Sequence, residues 1–222
     1  MKNIIIFGSG GHAKVILSEI IKLKKYKIIG FIDPKIKKGK IVIKIKNKIF
    51  KNLGKLENIR FKKKLYGVIG IGDNYLREKI CNSVEKGNIN IMWEKIISKN
   101  CVINENVKIG CGSVVFAGSV INTGTIIGKH SIINTSSSID HDNVFEDYSS
   151  TAPGVVTGGN VKVKKGSFLG LGSKIKHKIT ISYNTVVGAN SFVNKDCLPN
   201  NIYFGNPARK IKKRKRGESY LS

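Results

Sequence analysis

The 222-residue chain carries 40 Lys and Arg against 14 Asp and Glu, a formal charge of +26, with 41% apolar residues spread along its length. That distribution excludes a largely disordered chain, and no apolar run approaches the roughly 18 residues of a membrane span. The excess charge sits in residues 1–100 and in the last 23 residues and is nearly all Lys, mixed with Ile and Asn, which is unlike an Arg-rich nucleic-acid surface with interleaved aromatics.

The first element is a β-branched run, Lys2–Phe7, ending at Gly8-Ser9-Gly10-Gly11-His12. Val15, Ile16, Ile20 and Leu23 follow at helical spacing within Ala13–Leu23, and a second strand, Lys27–Ile32, ends at Asp33-Pro34. The order is strand, glycine turn, helix, strand. Gly8, Gly10 and Ala13 fit the G-x-G-x-x-A pattern, in which backbone N–H groups and a helix N-terminus receive a diphosphate, and Asp33 stands where a carboxylate accepts hydrogen bonds from ribose hydroxyls. A full NAD fold is not expected. Residues 35–64 are Lys-rich and weakly patterned, and one further strand, Leu65–Ile71, ends in Gly72-Asp73-Asn74 before a helix over Tyr75–Lys86. Three or four parallel strands make half of a dinucleotide fold, enough for one nucleotide.

From Ile103 every sixth residue is apolar at 14 of 16 positions through Val193, the exceptions being Thr151 and Thr157. Four residues after most of them stands a small or branched residue, as at Ser113, Ser119, Thr125 and Ser131. A period of six held without insertion predicts a parallel β-helix, three hexads to a rung, with one aliphatic per hexad pointing inward and small residues at the corners. The fold class expected is an N-terminal α/β βαβ (half-Rossmann) unit over residues 1–92, a β-helix over 93–200, and a cap with a basic tail over 201–222. Met92 and Trp93 are expected to pack the junction, and the tail Lys210–Arg216 to be solvated.

Reactive side chains are few in the solenoid. Asp140, Asp142, Glu146 and Asp147 cluster around His141, and a carboxylate beside an imidazole fixes its tautomer and raises its basicity, as a general base requires. Asp142 reaches His141 only where the chain turns. His177 lies 36 residues on, two rungs and roughly 9.6 Å away, too far for shared metal ligation. His130 and His177 are expected at the surface. Cys81, Cys101, Cys111 and Cys197 lack CxxC spacing, which fits reduced thiols and a cytoplasmic chain, and Cys111 and Cys197 are expected to be inert. Met1–Phe7 has none of the features of a signal peptide.

Gly8–Lys14, Phe31-Ile32-Asp33, Gly70–Asn74 followed by Arg77, Asn134-Thr135, Asp140-His141-Asp142 and Gly205-Asn206-Pro207-Ala208 together resemble the bacterial sugar O- and N-acetyltransferases with a left-handed β-helix. The resemblance runs to about residue 210 and is strongest to the enzymes that acetylate nucleotide-linked 4-amino-4,6-dideoxysugars for glycan biosynthesis. It implies acetyl-CoA as co-substrate, no metal, and a cytoplasmic homotrimer with active sites between subunits. His141 would be the general base and Asp142 its partner. Gly10, Gly11, His12, Asp33, Pro34, Gly72, Asp73 and Asn74 would hold the nucleotide, with Asn134 near the amino sugar. Ser150, Leu171 and Ala189 would touch acetyl-CoA, Ser150 standing where the family often has His. The alternatives are O-acetylation of sialic acid or another sugar hydroxyl, and a non-catalytic trimeric scaffold presenting basic surfaces.

Overall fold

The computed structural model describes residues 1–55, 65–87 and 90–220. The N-terminal lobe is a parallel sheet of four strands, β1 (Lys2–Phe7), β2 (Tyr26–Ile32), β5 (Leu65–Ile69) and β6 (Ile91–Trp93), in the order β2-β1-β5-β6. Helix α1 (Gly11–Leu23) follows β1, and α2 (Asn74–Lys86) follows β5. Ile4, Ile5 and Ile6 are fully buried, because a parallel strand covered on both faces alternates nothing. The stretch read as weakly patterned contains an antiparallel hairpin, β3 (Ile41–Ile45) and β4 (Lys48–Lys51), whose Ile/Lys alternation is a strand pattern with one face in water. Residues 56–64 of that stretch lie outside the described residues.

Seventeen two-residue strands, β7 (Ile96–Ile97) to β23 (Phe192–Val193), then stack in three parallel sheets of a left-handed β-helix. Partners stand one rung apart, as in Val114↔Ile132, Ile121↔Ile139 and Ile127↔Phe145. The inward residues expected from the six-residue period are the second residues of these strands, and Ile121, Ile133, Phe145, Leu169 and Val187 are fully buried among one another. Thr151 and Thr157, the two breaks in the apolar series, also face inward. The corner serines do more than make room. Ser113 Oγ donates to the Gly128 carbonyl at 2.6 Å, Ser119 Oγ to Asn134 at 2.8 Å and Ser167 Oγ to Ser182 at 2.7 Å, so each satisfies a buried carbonyl of the next corner.

A second six-residue frame appears only in the backbone. Asn106, Gly112, Gly118, Gly124, His130, Ser136, Asp142, Tyr148, Gly154 and Asn160 all have φ between +52° and +73°, one left-handed residue at each corner. That conformation turns the chain through the corner and decides where the residue's side chain goes.

The lobes share a core. Ile16 and Ile20 of α1 join Val114, Phe116 and Ile132 of the solenoid in one buried cluster. Trp93 lies at this junction against Phe7 and His130, whereas Met92, expected beside it, is 41% exposed. The C-terminal segment corrects another expectation. Strand β24 (Asn201–Gly205) pairs with β22 (Val186–Val187), and β25 (Ala208–Lys213) folds back antiparallel on β24. Arg214 is buried against Asn184, and Arg216 binds Glu78 at 2.8 Å, so the basic tail is a strap returning to the N-terminal lobe. Its backbone pairs with β24 and Arg214 is buried, while the lysine side chains reach water as expected.

Candidate active site

Two cavities flank α1. The first, about 630 Å³, is lined by the glycine turn Gly8–Gly11 with His12, by Asp33-Pro34-Lys35, and by Gly70–Asp73. Helix α1 begins at Gly11 with Gly10 as an uncapped N-cap and no acidic residue in the first turn, so its positive end and free N–H groups stay available to an anion. Asp33 is held rigidly: Ser9 Oγ donates to its Oδ2 at 2.5 Å and the Lys35 N–H to its Oδ1 at 2.9 Å. The buried Asn52 accepts from the Asp33 N–H at 2.9 Å and donates to the carbonyls of Asp33 and Ile36, fixing the loop. Asn52 had no motif to announce it. Of the residues expected around a nucleotide, Gly10, Gly11, His12, Asp33, Pro34, Gly72 and Asp73 line this cavity.

Asn74 does not. It is 2% exposed and spent on the fold: its Nδ2 donates to the carbonyls of Gly166 and Ser167, and its Oδ1 accepts from Arg77 and from Ser150 Oγ at 2.6 Å each. Arg77 is the other end of this device. All five of its donors are used, on the carbonyls of His130, Ile71, Gly72 and Tyr148 and on Asn74 Oδ1, with no carboxylate hydrogen-bonded to it among the described residues. Burial lowers its pKa to about 10. One fully buried guanidinium thus clamps the Gly72 loop of one lobe to two corners of the other.

The second cavity, about 540 Å³, is a groove along the outer face of the solenoid sheet facing the N-terminal lobe. His12 and Gly72 line one end, Asn134, Ser150, Leu171 and Ala189 the rest. His12 and Gly72 border both cavities, which makes them the passage between the two. Burial, with the Arg77 charge, lowers His12 to about 4, and its buried Nε2 has no hydrogen-bond partner among the described residues. A neutral imidazole stands there with one nitrogen uncommitted. Ser150 lines the groove, but its hydroxyl already donates to Asn74.

His141 stands at a different corner. It follows strand β14 (Ser138–Ile139), whereas the groove's corner follows β13 (Ile132–Ile133) and its stacked neighbours, one full side of the prism away. Its imidazole is about half exposed, and its Nδ1 lies 2.8 Å from Asp142 Oδ2. The turn required for that contact is the left-handed Asp142, φ +56°. The Asp142 hydrogen bond raises the His141 pKa above its ordinary value. In the neutral ring Nδ1–H donates to the carboxylate, which leaves the Nε2 lone pair free to accept a proton. Glycines make the slot. A Cβ on Gly124, one rung before, would stand 2.3 Å from Asp142 Oδ1, and one on Gly159, one rung after, 2.5 Å from His141 Nε2.

The remaining reactive groups do not join this site. His177 is exposed at the corner series of His141, two rungs on. His130, expected at the surface, is 2% exposed: its ring stacks on Tyr148 at 5.3 Å and its Nε2 lies 3.2 Å from Cys81 Sγ, because its corner is the one covered by the N-terminal lobe. Burial raises the Cys81 and Cys197 thiols to about 12, which leaves them protonated. Among the described residues no group of three or more His, Cys, Asp or Glu is placed to hold a metal ion, and no helix is long and apolar enough to cross a membrane.

Residues 3–84 match the family model of the PglD N-terminal domain. Solved structures similar over nearly the whole chain include PerB from Caulobacter crescentus in complex with CoA and GDP-perosamine, 27% identical, covering 96% of this chain and 98% of that one with a TM-score of 0.84. The acetyltransferase domain of PglB from Neisseria gonorrhoeae is 24% identical, over 95% and 100% of the two chains, TM-score 0.85. WeeI from Acinetobacter baumannii, 24% identical over 95% and 100%, gives 0.82. The chain shares their fold over 95–96% of its length.

Proposed function

We propose that the chain is an acetyl-CoA-dependent N-acetyltransferase acting on the amino group of a nucleotide-linked amino sugar, a 4-amino-4,6-dideoxysugar, with His141 as general base. The observation that carries the proposal is the exposed His141–Asp142 pair, held in a glycine slot on a solenoid shared with PerB, a protein crystallised with CoA and GDP-perosamine.

In this reading the nucleotide occupies the cavity of Gly10, Gly11, His12, Asp33, Pro34, Gly72 and Asp73, its diphosphate at the α1 N-terminus and its ribose at Asp33. The sugar passes His12 toward Asn134, and acetyl-CoA lies in the groove along Ser150, Leu171 and Ala189. The amine's lone pair attacks the thioester carbonyl, the C–S bond breaks in the collapse of the tetrahedral adduct, the amine proton goes to His141 Nε2, and the sulfur leaves as the thiol after taking a proton back. No acyl-enzyme is required once a neutral amine is held against the thioester.

The groove and His141 occupy different corners of the same prism, so one chain alone does not bring base and acyl donor together. A homotrimer does so, each subunit's His141 corner facing a neighbour's groove. The outward Val102, Ile126 and Val156, exposed in the single chain, favour such packing. The test is His141→Asn: acetyl transfer from acetyl-CoA to a panel of nucleotide amino sugars is expected to vanish while nucleotide-sugar binding, followed by calorimetry, persists. A fully active variant overturns the assignment.

A further inference from the structure

Beyond about residue 210 the chain leaves the stretch on which the sugar-acetyltransferase resemblance rests, yet it returns to the candidate site. The strap formed by β25 and the residues after it is fastened to the rest of the chain at two places and braced within itself at a third. Arg214 is buried on Asn184 and donates through Nη2 to the Glu218 carbonyl at 2.6 Å; Arg216 pairs with Glu78, which also binds Lys165 at 2.8 Å; Lys212 pairs with Glu218 at 2.7 Å. The strap delivers one side chain into the groove. Tyr220 lines it beside His12 and Gly72, at the passage between the two cavities. Its ring packs on Phe168 with centroids 4.4 Å apart and receives the Arg214 guanidinium at 5.1 Å on its ring. Its hydroxyl accepts from the Asn74 N–H at 2.8 Å and reaches the Gly72 carbonyl at 3.5 Å. Burial raises the phenol to about 12, so it stays neutral at working pH.

This placement is not that of a loose tail. The groove is lined by the apolar Ile132, Phe168 and Val186, with Tyr220 packed on Phe168, and by His12 among its polar groups. A sugar leaving the nucleotide cavity toward Asn134 crosses it, and an aromatic ring beside an apolar wall suits the C–H face and methyl group of a deoxysugar. Resting on the reading of the site given above, we infer that Tyr220 is a specificity-determining wall of the acceptor-sugar subsite, carried there by the C-terminal strap. Ring and hydroxyl have separate duties: the ring shapes the subsite, and the hydroxyl holds the Gly72–Asn74 loop through the Asn74 N–H.

The experiment compares the full chain with its Tyr220→Ala and Tyr220→Phe variants, using acetyl-CoA and two nucleotide amino sugars that differ only in whether C5 carries a methyl or a hydroxymethyl group. Tyr220→Ala is expected to raise KM for the methyl sugar about tenfold while moving KM for the hydroxymethyl sugar less than about threefold, because the ring meets the methyl group. The preference for methyl over hydroxymethyl, expected at about tenfold or more in the wild type, should shrink to about threefold. Tyr220→Phe, which keeps the ring, should retain the preference. Thermal unfolding of each variant separates a folding defect, which would lower the apparent kcat and leave both KM values unchanged. An active wild type whose Tyr220→Ala variant keeps both the sugar KM and the C6 preference overturns this inference alone. A wild type that acetylates no nucleotide amino sugar overturns the functional reading and this inference with it.

Discussion

Gly159→Ala is the substitution that most directly weighs the base. The backbone of Gly159 is not left-handed, so alanine adds no conformational strain, and only the new methyl acts. That methyl would stand 2.5 Å from both Nε2 and Cε1 of His141, against an ordinary contact of about 3.5 Å between such atoms. The imidazole must therefore move by about 1 Å. It has no slack to do so cheaply, because its Nδ1 is tied to Asp142 at 2.8 Å and Asp142 is pinned in its left-handed turn above Gly124. A displacement of about 1 Å at a reacting group costs about 100-fold in rate, which is about 2.7 kcal/mol of barrier. The ring is half exposed, so the clash is relieved outward and the fold is left intact. Steady-state kinetics should show kcat down about 100-fold with both KM values within about threefold, and thermal unfolding should be unchanged. A variant with wild-type kcat would mean that the position of this imidazole does not matter to the reaction, and the general-base assignment would fall with it.

Other consequences follow from the same geometry. For a base that works neutral, kcat/KM rises with pH through the raised His141 pKa; Asp142→Asn removes the first cause of that shift, so a pH–rate profile should show the inflection at lower pH with a reduced plateau. His130 titrates the lobe junction: it is held neutral with a pKa near 4 against 6.5 in the unfolded chain. Between those values the unfolded chain binds more protons, so stability falls as pH drops below 6.5, by about 2 kcal/mol at pH 5 from this group, and His130→Asn, which tolerates the left-handed corner, should lose that part of the slope in denaturant titrations at pH 5 and 7. Arg77→Ala strands the carbonyls of Ile71, Gly72 and His130 and should lower stability by about 3 kcal/mol or more, with thermal unfolding splitting into two transitions if the lobes part. Asp33→Ala should weaken nucleotide binding, read by calorimetry with the free nucleotide, without changing the affinity for CoA.

The solenoid was legible because its period is a property of the chain at every sixth residue, and each inward aliphatic repeats the same burial, worth about 1.5–3 kcal/mol a residue. The glycine turn and Asp33 were legible for a related reason: backbone approach to an anion demands particular residues in a short span. What stayed hidden was carried by single side chains with distant partners. Arg77 reaches a carbonyl 53 residues away, and Tyr220 an N–H 146 residues away, and an isolated Arg or Tyr has no neighbours in sequence that disclose such a partner. His130 and His141 illustrate the limit well. Both lie at corners, and nothing local distinguishes a corner covered by the other lobe from one facing water. The exposure of the tail's lysines was legible in its composition, whereas its pairing was not, because that depends on β24 being there to receive it.

The left-handed corners connect the scaffold to the chemistry. A β-helix needs one such residue per hexad, and glycine, asparagine and aspartate accept the conformation most readily, the last two because their short polar side chains bond locally. Aspartate at a corner therefore costs the fold little, and in that conformation its carboxylate swings back along the chain. At Asp142 the preceding residue is a histidine, and the carboxylate meets its Nδ1 at 2.8 Å. The neighbouring rungs then have to be bare, and Gly124 and Gly159 are. A base assembled this way, as proposed for His141, would need no cavity of its own, since the groove it would serve belongs to another corner. It follows that monomers produced by charge substitutions on the outward faces, such as Val156→Glu, should keep the His141–Asp142 pair, visible as a raised imidazole pKa by nuclear magnetic resonance, and still bind nucleotide sugar, yet transfer no acetyl group. Monomers with wild-type turnover would refute the shared site, because base and groove would then have to meet within one chain.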